Sequence, residues 1–237
     1  GLVCAIPRDG GKLMRIDDTG KLSTILAKDE SLVHPVDVGI GAESDRRAID
    51  RYIADMLGVL STAGGKPKVY RKLEGQKWDA QDMSVAITRD KHVLFGTSGE
   101  RGIYRFAGDD YTAKKGPILP ENGGVAADTA TLMWAATQAP NLVHVFEGEE
   151  LMKKLTLPAN KRIYRNGLLS FAPAGSVVVA ARPADEKIGE VWLLMYSTED
   201  DKIRSLFPWN RERMVDFVVG PRMFWERNTR PKYDGIY

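Results

Sequence analysis

The sequence predicts an all-β fold, a β-propeller of four-stranded antiparallel blades, and three observations carry that expectation. Short apolar runs alternate with turn residues, most plainly from Asp82 to Leu119 in DMSVAITRD, KHVLFGTS, GERGIYRFAGDD and YTAKKGPIL. That pattern reads as a meander. The unit then recurs: its first strand begins at Val38, Val85, Val125, Leu169 and Phe217, at intervals of about 40–48 residues, the length of a propeller blade. In the first four of these strands a Gly, Ala or Ser stands between apolar neighbours, as in Val85-Ala86-Ile87. A small residue is expected there because innermost strands converge on a crowded channel, where bulk would overpack.

Taken in order, residues Leu2 to Ile6, Lys12 to Asp17 and Lys21 to Ala27 read as three strands joined by DGG and DTG turns. Asp-Gly is a strong hairpin signal. These are the second to fourth strands of a blade whose first strand is expected from Val215 to Val219, so that both termini close the ring and leave no open edge. The next unit opens at His34-Pro35-Val36-Asp37. Its loop GAESDRRAID is charged and reads as a solvated excursion. Gly64-Gly65-Lys66 is not a phosphate loop, because Pro67 follows the lysine and a strand, not a helix, comes next. Second strands follow at His92–Phe95, Leu132–Ala135 and Ser176–Val179. Third strands follow at Gly102–Phe106, Leu142–Phe146 and Val191–Tyr196, and fourth strands at Leu151–Leu157 and Lys202–Phe207. The connections SGERG, QAPN and PADEKIGE join second to third strands. Residues 1–237 read as one domain, with 220–237 as a C-terminal strand or tail and a strand from Met223 to Glu226. Five blades are expected, with six as the alternative if the natural chain is longer.

The chain has 237 residues, 43% of them hydrophobic, enough for a sizeable core. Its 34 basic and 32 acidic side chains nearly cancel, leaving a net charge of +2. That balance argues against a dedicated nucleic-acid partner. The single cysteine, Cys4, excludes an internal disulfide and a cysteine metal cluster and reads as a small core residue. No apolar run reaches the roughly 18 residues of a membrane span, and no signal peptide stands out. The chain begins at Gly1 rather than Met, which fits processing or trimming, so the compartment is open.

The stretches HPVDVGI, RYIADMLGVLSTAG and VAITRDKHVLFGTS resemble the NHL-like propellers. In that family a blade runs from a Pro through a small-apolar strand to a strand ending in Ala-Asp, matched here by Pro35 and Ala54-Asp55. The other units lack the Pro and the Ala-Asp pair. The resemblance implies a binding scaffold. Related six-bladed folds include calcium-dependent lactonases and similar hydrolases, which implies the alternative of a calcium-dependent lactonase-like hydrolase.

No HExxH or GxSxG motif is present. Histidines 34, 92 and 144 fall in different units, and strand positions give His92 and His144 structural roles. One constellation points to chemistry. In a ring of meanders the innermost strands all begin on one face and surround the channel mouth. Near those beginnings lie His34, Gln81, Asp82, Asn122 and Asn166, the expected ligand-binding residues. The oxygens of Asp82, Asn122 and Asn166 suit a hard cation such as Ca2+. Asn122-Gly123 and Asn166-Gly167 equally fit simple turns, since Asn tolerates the left-handed conformation. The expected partner is a protein or small-molecule ligand at the mouth and blade loops.

Overall fold

The computed structural model describes residues 3–5, 13–16, 19, 21–26, 37–40, 51–55, 58–61, 68–72, 83–90, 92–97, 102–107, 118–120, 122–128, 131–164, 169–171, 176–185, 191–196, 202–209, 214–219 and 224–228. All secondary structure among them is β, and none of it is a helix long and apolar enough to cross a membrane.

Strands β1 (Val3–Ala5), β2 (Leu13–Ile16) and β3 (Leu22–Leu26) form a three-stranded sheet in sequence order. The second sheet holds β4 (Asp37–Ile40), β5 (Arg51–Asp55), β6 (Gly58–Ser61) and β7 (Lys68–Lys72). The third holds β8 (Met83–Ile87), β9 (His92–Thr97), β10 (Gly102–Ala107) and β11 (Leu119–Pro120). The fourth holds β12 (Asn122–Ala127), β13 (Met133–Gln138), β14 (Leu142–Glu147) and β15 (Glu150–Thr156). In the fifth, β16 (Lys161–Ile163) and β17 (Leu169–Phe171) both pair with β18 (Val177–Pro183), which continues to β19 (Val191–Tyr196) and β20 (Ile203–Trp209). Last, β21 (Met214–Val219) pairs with β22 (Phe224–Asn228). Every pairing is between antiparallel neighbours, as the meander pattern predicts.

The five expected signature strands are β4, β8, β12, β17 and β21, and they adjoin one another in chain order: β4 lies against β8, β8 against β12, β12 against β17, and β17 against β21. This succession of inner strands, each carrying its own meander outward, is the propeller arrangement. Ala86 and Ala126 are buried as expected, but for a different reason. Ala86 lies in a core between the third and fourth sheets with Leu94, Ile103, Val125, Trp134 and Phe146. Ala126 lies in the next one with Leu169, Val177 and Val179. The small side chain admits the neighbouring sheet.

Three further expectations change. The described pairings join β1 to β2 and β21 to β22, so the pairing expected between Val215–Val219 and Leu2–Ile6 is not among them. Among the described residues β21 and β22 form a two-stranded sheet. In the fifth sheet the innermost position is shared by two short strands, and β16 went unread because a three-residue run carries no periodicity. Asn122 opens strand β12 rather than a left-handed turn, and the register slips between Asn122 and Val125. That slip is a bulge. The left-handed glycine among the described residues is Gly148, with φ of 59°.

Candidate functional site

The bulge in β12 is held by side chains of two sheets. Gly124 N–H donates to Thr137 Oγ1 of its own sheet at 2.8 Å, and Val125 N–H donates to Ser84 Oγ of the preceding sheet at 2.9 Å. Both bonds are buried, so they satisfy donors that the slipped ladder abandons. Gly96, the cross-strand partner of Ser84, lies against the same bulge. A Cβ on Gly96 would come within 2.1 Å of Gly123 O. The two sheets therefore meet backbone to backbone at the end where β8 and β12 begin.

That is the end at which the sequence reading expects the channel mouth. Asn122 is placed there as the first residue of β12, opposite Gln138. His34, Gln81, Asp82 and Asn166 lie outside the described residues. By sequence Asp82 directly precedes β8, and Asn166 falls between β16 and β17. As a donor set, one carboxylate and two amide oxygens suit calcium, a hard cation. Among the described residues no group of three His, Cys, Asp or Glu side chains is arranged to hold a metal.

The mouth end of the fifth sheet carries a feature that the sequence reading missed. Strand β16 prolongs the innermost position past β17, because Ile163 pairs with Ala181 where Leu169 pairs with Val179. Ile163 N–H donates to Pro140 O, in the β13–β14 turn of the fourth sheet, at 2.7 Å. This extension sets Arg162 directly opposite Arg182. Ile163 and Ala181 join the core shared with the fourth sheet. Alternation along the strands puts both arginines on the other face. The two are half-buried, and the Nε of each is buried with no hydrogen bond among the described residues. Burial, and then the like charge of Arg162, hold Arg182 below its ordinary pKa, with Tyr164 acting in the opposite sense. No local motif signals this pair, since the partners are twenty residues apart and meet only through register.

The opposite face carries a polar network. In the β8–β9 hairpin, Thr88 Oγ1 donates to Asp90 Oδ1 and accepts His92 N–H at 3.1 Å. His92 Nδ1 lies 2.8 Å from Asp90 Oδ2, and Arg105 Nη2 reaches the same ring nitrogen at 3.2 Å. Arg105 Nη1 crosses to Glu149 Oε1 of the fourth sheet at 2.8 Å. Burial raises the Asp90 carboxyl, but the Thr88 hydroxyl and the charges of His92 and Arg105 outweigh it and hold Asp90 below the usual carboxylate range. His144 is buried in β14 at 8% exposure, and burial, aided by Lys154, pushes its pKa down. Both histidines have the structural surroundings that their strand positions predict.

No family model matches the sequence, and no curated protein matches it. Solved structures do match the fold. The chain is similar to one in a nidogen/laminin complex, with a TM-score of 0.61 and 12% identity, over 96% of this chain and 84% of that one. It is also similar to a gluconolactonase from Xanthomonas campestris, with a TM-score of 0.59 and 11% identity, over 92% of this chain and 76% of that one.

Proposed function

We propose that this β-propeller is a binding module, formed by residues 1–237 as one ring, that takes a protein or small-molecule ligand at its channel mouth and adjoining blade loops. The observation that carries the reading is the convergence of inner strands. β4, β8, β12, β17 and β21 adjoin in order, and the bond from Val125 N–H to Ser84 Oγ brings the beginnings of β8 and β12 to one end. Ser84 and Thr137, from the third and fourth sheets, accept bonds at that end, whereas the outer strands spread lysines such as Lys153 and Lys154 over a solvated surface where single charges add little. The likeness to a propeller in a nidogen/laminin complex supports a protein-binding role.

The likeness to a gluconolactonase favours a second reading, a calcium-dependent lactonase-like hydrolase at the same mouth. There Asp82, Asn122 and Asn166 would hold the ion, which when bound supplies a Lewis acid for a polarised carbonyl. Calorimetric titration with calcium separates the two. The binding-module reading expects no calcium heat. Heat that disappears in the Asp82→Ala, Asn166→Ala double variant would establish the hydrolase site. Heat that persists in that variant would put calcium elsewhere and remove these residues from the site.

A further inference from the structure

We infer that the rim of the fifth sheet, at Arg162 and Arg182, is an oxyanion-binding subsite, so that the ligand taken at the mouth bears a carboxylate or phosphate group. The inference rests on the mouth as the ligand site and names the chemistry of what binds there. Arg162 and Arg182 are exact cross-strand partners. Like charges directly opposite one another destabilise a sheet, and here both are half-buried, where water screens them less. Whatever each guanidinium engages within the chain, the register concentrates two positive charges at one point of the rim. Tyr164, buried beside them, brings a phenol close enough to act on Arg182.

The fixed geometry suits the chemistry. A guanidinium presents a planar fork of donors that matches an oxyanion bidentately, and register brings two such side chains to opposite positions on neighbouring strands. The backbone of β16 is held to the fourth sheet by Ile163 N–H to Pro140 O and to β18 by Tyr164 N–H to Ala180 O, at 2.9 Å. An oxyanion at the rim would offset the repulsion that register imposes, and so would bind the folded chain in preference to the unfolded one.

The test follows thermal unfolding of the full chain in inorganic phosphate, with sodium chloride of matched ionic strength as reference. Concentrations stay in the millimolar range, below those at which phosphate stabilises proteins generally by exclusion. The wild-type Tm is expected to rise and saturate, by about 3–5 °C at ten times Kd. Arg162→Gln and Arg182→Gln should abolish the rise. Arg182→Lys keeps the charge and gives up the fork, and should bind phosphate about ten-fold more weakly. If a glutamine variant fails to fold, the lysine variant carries the test, and undiminished phosphate affinity in it overturns the inference. So does a wild type without a saturable rise, as expected if the pair is neutralised within the chain. A rise that survives in the glutamine variants places the anion elsewhere and also overturns it. Acetate in parallel separates the sources: a matching rise supports a carboxylate ligand, and a rise with phosphate alone supports a phosphate-bearing one. The mouth reading fails separately, if a bound partner maps to the outer strands while phosphate still requires the arginines.

Discussion

Gly96 shows how a single residue sets the distance between two sheets. It pairs with Ser84 across β8 and β9, and its missing side chain leaves room for Gly123 O. Ser84 Oγ then sits where it accepts Val125 N–H. Alanine at position 96 would place a methyl 2.1 Å from that carbonyl and 2.9 Å from Ser84 Oγ. Neither neighbour is the free end of a flexible side chain, so the sheets must part. Gly96→Ala is expected to destabilise by about 1–3 kcal/mol, as overpacking does. Gly148 is a different case. It holds φ of 59° in open space, so Gly148→Asn, which tolerates that conformation, should cost only a few tenths of a kcal/mol. Urea denaturation of the two variants compares them directly, and equal losses would show that the close approach is not the constraint.

At the scale of the element, the innermost strands are joined to the sheet that follows them. Ala86 and Ala126 each face the next sheet's core; in the core that Ala86 faces, Trp134 stacks on Phe146 at 4.1 Å between ring centroids and donates from Nε1 to Gly148 O at 2.7 Å. Replacing Ala126 with Leu drives three additional carbons into Leu169, Val177 and Val179. A loss of about 1–3 kcal/mol is expected. Lys153 lies on the outer strand β15, with its ammonium 6.0 Å from the Tyr196 ring centroid. Lys153→Leu should change stability by no more than about 0.5 kcal/mol. Chemical denaturation midpoints for the two variants give the comparison, and similar losses at both positions would mean that the inner and outer strands have been misassigned.

For the whole molecule, the terminal strands decide whether the succession of sheets is sealed. β17 packs against β21, so the last described sheet covers a face of the fifth. Deleting Met214 to Tyr237 removes that cover and exposes apolar surface and strand edges, a template for association. The truncated chain is expected to unfold at lower temperature or to aggregate, as followed by thermal scanning and light scattering. An unchanged Tm with a monodisperse product would show that β21 and β22 do not seal the structure.

What the sequence determined by itself is the meander and its period. Strands from His92, Gly102, Leu142 and Val191 fall where alternation and turn residues place them, because side-chain period and turn chemistry are local properties. The succession of inner strands was legible for the same reason: small residues recur at Gly39, Ala86, Ala126 and Ser170. The tertiary structure decided everything that depends on register between distant segments. It made a bulged strand of Asn122-Gly123-Gly124, split the innermost position of the fifth sheet into β16 and β17, and set Arg162 opposite Arg182. A one-residue slip reverses which face a side chain occupies, and the pattern of one strand does not contain the pairing that fixes its neighbour. For that reason the end at which the inner strands begin could be read from sequence, while the arginine pairing at that end of the fifth sheet could not.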